Sequence, residues 1–150
     1  SFLVLHALVD DAHAESLLEL AERFARDRID VVVGIEARGF LFGAPLALRL
    51  DAPFVPIRKK GKLPHKTVGV TYSLEYGDAA VEIHQDGVLP GKRVLIVDDV
   101  LATGGTMAAA RALVEQVQGH VVALAVLVEL EFLKGREKLE GVETFALVKY

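Results

Sequence analysis

Arg93 to Met107 reads RVLIVDDVLATGGTM, and the fold turns on how this stretch is read. Four apolar β-formers, Val94 to Val97, run into the paired carboxylates of Asp98 and Asp99. A turn of small residues follows, Ala102-Thr103-Gly104-Gly105-Thr106, and the spacing then predicts a helix from about Met107 to Gln118. An apolar run without alternation suits a parallel strand covered on both faces. A turn that leaves such a strand and opens a helix lies where open α/β sheets bind ligands. Its backbone N–H groups and the helix N-terminus can hold a phosphate, and glycines permit close backbone approach. Two carboxylates just before that cradle can accept hydrogen bonds from paired sugar hydroxyls. The segment asks for a phosphorylated sugar.

Other nucleotide motifs fit less well. A Walker-type phosphate loop needs a Lys after its last glycine, and none follows Gly104-Gly105. The dinucleotide fingerprint Gly-x-Gly-x-x-Gly is also absent from this turn. A lone Asp-Asp or Gly-Gly would be read as a solvated βα turn; the ordered string carries more. It resembles the signature of the phosphoribosyltransferases, which bind 5-phospho-α-D-ribose 1-diphosphate (PRPP).

The rest of the chain is compatible with one α/β domain, residues 1–150, its N-terminal segment short or atypical. Apolar residues make up 52% and charged residues 25% of the 150, the balance of a globular protein able to bury a sizeable core. A net charge of −4 offers no overall electrostatic footprint for nucleic acid. The absence of cysteine removes disulfide frameworks and thiolate metal sites. No apolar run approaches the ~20 residues of a membrane helix. Ser1 to Val9 lacks a basic leader and a small-residue cleavage site, so a cytoplasmic protein is expected.

Helical spacing of Leu17, Leu18, Ala21, Phe24 and Ala25 predicts an amphipathic helix over about 12–26. Val31 to Ile35 reads as a buried strand, Glu36 to Gly39 as a turn, Phe40 to Leu50 as a helix, and Phe54 to Arg58 as a third extended piece. Val68 to Ser73 and Ala80 to His84 alternate as a β-hairpin. Val121 to Leu130 reads as another strand, Phe132 to Leu139 as a short helix, and Phe145 to Tyr150 as a last strand. Strand and helix alternate apart from the hairpin. The expected fold is therefore α/β, a mostly parallel twisted sheet flanked by helices, with an inserted hairpin flap.

Such a sheet delivers the loops after its strands to one edge. Arg38 comes from the first loop, Arg58, Lys59, Lys60 and Lys62 from the second, and Glu75 and Tyr76 from the hairpin. Taken alone, Arg58-Lys59-Lys60 reads as a solvated charge run, Arg38 as a surface arginine and Glu75 as an exposed turn carboxylate. Beside a sugar-phosphate signature, the cations suit a diphosphate, because charge-assisted contacts are strong and Arg binds bidentately. The histidines show no metal-ligand spacing.

At these places the chain resembles the adenine phosphoribosyltransferases, type I members of the wider family. The matching strings are GIEARGFLFGAPLAL, IRKKGKLP, YSLEYG, VLIVDDVLATGGTM and LVELEFLKGREKL, in order from about residue 30 onward. The resemblance implies purine salvage: transfer of phosphoribose from PRPP to adenine, giving AMP and diphosphate, with Mg²⁺ and as a homodimer. It implies that Asp98 and Asp99 meet the ribose hydroxyls and favour oxocarbenium character at the anomeric carbon. Ala102, Thr103, Gly104, Gly105 and Thr106 would cradle the 5-phosphate. Arg38, Arg58, Lys59 and Lys62 would hold the diphosphate, whose charge Mg²⁺ would neutralise without a direct protein ligand. Glu75 would be the general base that relieves adenine of its ring proton. Tyr76 would belong to a mobile flap, and Ala102 and Leu130 would flank the purine. Loops of the EARG type often carry a non-proline cis peptide, expected here near Glu36–Ala37.

One place departs from the family. Its members carry a Pro-Gly turn and a Phe-Arg-Asp run before the first long helix, which shape the adenine pocket; here the equivalent place reads Ser1-Phe2-Leu3-Val4-Leu5. The departure bears on adenine and leaves the PRPP site untouched. The alternatives are a PRPP-binding regulator without transfer activity and a transferase for hypoxanthine or guanine. Neither nucleic acid nor membrane is an expected partner.

Overall fold

The computed structural model describes residues 11–74 and 77–150. Val31–Ile35 (β1) is buried at every position, as a strand needs to be when helices cover both of its faces. It lies between Phe54–Lys59 (β2) and Arg93–Leu101 (β5), parallel to both. His120–Glu129 (β6) and Glu143–Lys149 (β7) extend the parallel ladder beyond β5. On the other side Thr67–Leu74 (β3) and Gly77–His84 (β4) pair antiparallel, and the sheet order is β3-β4-β2-β1-β5-β6-β7.

Alternate side chains of the central strands feed two cores. Val32, Leu95 and Val97 pack with Leu20 and Phe24 of α1 (Asp11–Phe24) and Leu46 and Ala47 of α2 (Arg38–Arg49). Val31, Val33, Val94 and Ile96 face the other way, onto Met107, Ala110 and Leu113 of α3 (Gly105–Gln116). Each such Val or Leu stabilises the fold by about 1.5–3 kcal/mol relative to exposure. This is the two-sided parallel sheet the alternation of elements predicts. Among the described residues no helix is long and apolar enough to cross a membrane.

Four differences from the sequence expectation have physical causes. β5 does not stop at Val97: its ladder with β6 continues through Asp98↔Val126 and Val100↔Val128, so both carboxylates ride on the strand end. The helices α2 and α3 begin earlier than expected, at Arg38 and Gly105. The helix expected over 132–139 is instead two 3₁₀ turns, Glu131–Leu133 and Gly135–Leu139, separated by Lys134 with φ +53°. A left-handed residue cannot continue a right-handed helix. Finally, the hairpin is an extension of the sheet, because β4 pairs with β2 through Arg58↔Glu82 and Lys59↔Val81.

Two glycines set how closely α2 approaches the sheet. A Cβ on Gly34 or Gly43 would lie 2.6 or 2.8 Å from the ring of Phe54, which occupies the slot they leave. That close seating brings the start of α2 over the end of β5.

Candidate active site

The ends of β1 and β5 and the start of α3 enclose a cavity of about 340 Å³. Its walls are Glu36, Ala37 and Arg38 on one side and the continuous run from Asp98 to Met107 on the other. The Glu36–Ala37 peptide is cis, at the expected place.

The floor of the cavity is the turn into α3. Gly104, at φ +85°, is the residue before the helix, and no side chain caps the helix start. The first N–H groups of α3 therefore have no intrahelical partner and carry the positive end of the helix dipole. An anion is their natural complement. Only glycine fits at position 104: besides its left-handed backbone, a Cβ there would lie 2.3 Å from the Gly135 carbonyl oxygen. Gly135 in turn has the Ala102 carbonyl oxygen 2.3 Å from where its own Cβ would stand. The 3₁₀ segment after β6 thus presses backbone to backbone on the rear of the turn. Arg136 anchors that segment through a two-pronged ion pair with the buried Glu129, at the end of β6. From above, Thr106 donates its hydroxyl to the Tyr72 hydroxyl of β3 at 3.3 Å.

Asp98 and Asp99 form the wall nearest α2. Asp98 Oδ1 accepts the Asp99 backbone N–H at 2.9 Å, and Asp99 Oδ2 lies 2.6 Å from Arg38 Nε. Gly39 makes room for this pair, since a Cβ there would stand 3.1 Å from Asp98 Oδ1. Burial, with a smaller push from the neighbouring Asp99, raises the Asp98 carboxyl to about 8. Near neutral pH burial therefore favours the protonated form of Asp98. A protonated carboxyl can donate as well as accept a hydrogen bond at a vicinal hydroxyl.

The basic loop after β2 stands beside the cavity rather than in its wall. Lys59, Lys60 and Lys62 are exposed. Arg58 is turned inward: its guanidinium donates to Glu36 Oε1 and to the Lys62 carbonyl, both at 3.2 Å. Glu36 also accepts the Lys59 backbone N–H at 2.9 Å, and that bond, followed by the one from Arg58, holds the Glu36 carboxyl below the usual range. Leu130 follows β6, half-buried, with its N–H on the Leu101 carbonyl, outside the cavity wall. Glu75 and Tyr76 lie outside the described residues.

Of the residues expected from sequence, Arg38, Asp98, Asp99 and Ala102 to Thr106 converge on one cavity. Arg58, Lys59 and Lys62 flank it. Sequence reasoning passed over Glu36, Tyr72, Glu82 and Gly135. Tyr72 stands in YSLEYG and Gly135 in LKGREKL, yet nothing local says that either touches the turn at 103–106.

Residues 6–144 match the family described as the phosphoribosyl transferase domain. Adenine phosphoribosyltransferase of Clostridium perfringens is 54% identical over 152 residues, spanning 100% of this chain and 88% of the relative. The enzyme of that name from Thermobifida fusca is 62% identical over 128 residues, 85% of this chain and 73% of the relative. Among solved structures, adenine phosphoribosyltransferase from Thermoanaerobacter pseudethanolicus superposes with a TM-score of 0.91 at 50% identity, covering 95% of this chain and 84% of that one. The Saccharomyces cerevisiae enzyme, crystallised with an imino-altritol bisphosphate and adenine, gives a TM-score of 0.81 at 48% identity over 87% of this chain and 73% of that one.

Proposed function

The chain belongs to the adenine phosphoribosyltransferase family, and on that premise we infer that it transfers 5-phosphoribose from PRPP to adenine, releasing diphosphate and forming AMP. The observation that carries this reading is the single cavity in which two adjacent carboxylates and an arginine meet an uncapped helix start. Those are the groups a sugar flanked by two phosphates requires.

In this reading the amides from Thr103 to Thr106, with Ala102 at the turn's entry, hold the 5-phosphate through the helix start. Asp98 and Asp99 bind the ribose hydroxyls, and the retained negative charge stabilises cationic character at the anomeric carbon as the diphosphate departs. Arg38 exchanges its ion pair with Asp99 for the incoming diphosphate, and Lys59 and Lys62 add charge from the neighbouring loop. Arg58 serves by tying that loop to Glu36, with less of its guanidinium free for substrate than the sequence implies. Glu75 takes the proton from the adenine ring, and Tyr76 belongs to the flap that closes over the site and limits hydrolysis. Ala102 and Leu130 supply apolar surface to the purine.

Mg²⁺ suits this donor set as an ion carried on the diphosphate, since it keeps most of its water and binds through substrate phosphates with few carboxylates. When bound it would neutralise leaving-group charge. Among the described residues no group of three or more His, Cys, Asp or Glu gathers to cage a metal. A single domain over residues 1–150, a cytoplasmic location and a homodimer, without nucleic-acid or membrane partners, complete the proposal.

The test is AMP formation from adenine and PRPP with Mg²⁺, run beside hypoxanthine and guanine, with PRPP binding followed in parallel by calorimetry. AMP from adenine alone is the expected result. PRPP binding without transfer to any base would favour a regulator, and transfer to hypoxanthine or guanine would move the base specificity. A chain that does not bind PRPP would overturn the assignment of the cavity.

A further inference from the structure

Beneath the basic loop lies a buried carboxylate that the reaction outlined above does not use. Glu82, on β4, is 6% exposed and sits opposite Arg58 in the β2–β4 register. Its Oε1 accepts the backbone N–H groups of Gly61 and Leu63, both at 3.1 Å, and its Oε2 accepts the Thr67 hydroxyl at 3.1 Å. Among the described residues it makes no ion pair, although Arg58, Lys59, Lys60, Lys62 and Lys66 stand within three residues of its partners.

Every backbone N–H from Lys59 to Leu63 is thereby accounted for. Lys59 donates to Glu36, Lys60 to the Ala80 carbonyl, Gly61 and Leu63 to Glu82, and Lys62 to the Lys59 carbonyl. None of these amides points outward to receive an anion, so a diphosphate at this loop depends on the lysine side chains. Their spacing is set from beneath, by the carboxylate on which the loop is wound. Gly61, at φ +85° and with open space where a Cβ would go, would otherwise leave the loop free to change shape.

We propose that Glu82 is a positioning residue for the diphosphate end of PRPP: it winds the 59–63 loop into the form that presents Lys59 and Lys62 beside Arg38. The proposal rests on the reading of the site given under Proposed function. It separates the two anion sites, because the side-chain hydrogen bonds of Glu82 go to Gly61, Leu63 and Thr67 and, among the described residues, none to the 5-phosphate turn.

The variants Glu82→Leu and Glu82→Gln test it, with affinities for PRPP, inorganic diphosphate and AMP measured by calorimetry and melting followed in parallel. Glu82→Leu removes the acceptor for two amides and is expected to weaken PRPP and diphosphate about tenfold or more, with AMP within about twofold of wild type. The steady-state counterpart is a raised KM for PRPP with the KM for adenine unchanged. Glu82→Gln keeps a carbonyl oxygen at the same place and is expected to restore most of the loss, to within about threefold. Equal weakening of AMP and diphosphate would mean general loosening of the fold and would overturn the proposal. So would a folded Glu82→Leu protein with wild-type diphosphate affinity. If Glu82→Leu does not fold, a Glu82→Gln protein whose PRPP-to-AMP affinity ratio falls by about two- to threefold supports it, and one with an unchanged or raised ratio overturns it. Wild-type protein that binds AMP but neither PRPP nor diphosphate removes the premise instead, and the proposal falls with it.

Discussion

The turn at 103–106 and the loop at 59–63 are both assigned to anions, and the fold holds them in opposite ways. The turn is backed by backbone: Gly104 and Gly135 touch without side chains between them, and Arg136 on Glu129 keeps the rear segment seated. The basic loop is backed by charge, its amides wound on Glu36 and Glu82 and its lysines left in solvent. Close packing gives one geometry and tolerates no added volume. Hydrogen bonds to carboxylates give a defined shape that a small rearrangement can release. A site that must grip one phosphate throughout and release a diphosphate at the end is well served by that division.

The most damaging way to break the contrast is Gly135→Ala. The new methyl would stand 2.3 Å from the Ala102 carbonyl oxygen, so backbone has to move. Overpacking of this kind costs about 1–3 kcal/mol, and AMP affinity is expected to fall at least ~tenfold because the turn itself shifts. Urea denaturation and AMP calorimetry check both; unchanged AMP binding would mean that the rear contact does not shape the cradle.

Asp98→Asn is expected to act through pH. Burial lifts the native carboxyl to about 8, above its unfolded value of 3.8, so the native state holds a proton that the unfolded state gives up. Stability from this group is thus complete below pH ~4 and is lost as pH rises toward 8, by up to roughly 1.4 kcal/mol per pH unit. Glu36 and Glu129, whose carboxyls are held low, act in the opposite sense and at lower pH, so the difference in slope between wild type and variant from pH 6 to 8 reports Asp98. Asparagine should flatten the slope there and make the variant the more stable protein at pH 8, while weakening PRPP. Equal pH slopes for the two proteins in urea titrations would show that Asp98 is ionised throughout.

The smallest effect is expected for Gly61→Ala, which sharpens the contrast from the other side. Nothing lies within 4 Å of the added methyl, so only the left-handed backbone is penalised, by about 1 kcal/mol. A modest fall in melting temperature with AMP affinity intact would match it. A loss comparable to that of Gly135→Ala would mean that the basic loop is as tightly packed as the turn.

Much of this was legible in local pattern. The unbroken apolar run of Val94 to Val97 announces a two-sided strand, Asp98-Asp99 and Ala102 to Thr106 announce the residues that line the cavity proposed for a sugar phosphate, and helical spacing marks α1. Boundaries slipped where a neighbour decided them, as when β6 carried β5 onward through the two aspartates. Lys134 hid its left-handed turn, since lysine is no signal for one.

Composition and spacing along the chain by themselves determined the class of fold, the place of the cavity and the residue types at its rim, because strand burial, helical period and turn chemistry act over a few residues. Only the tertiary structure decided that Gly135 backs Gly104, that Arg38 rests on Asp99, that Arg58 faces Glu36, and that Glu82 winds the basic loop. Those contacts join segments tens of residues apart. They are fixed by sheet order, by helix seating and by the requirement that every buried amide and carboxylate find a partner, conditions that no single segment contains.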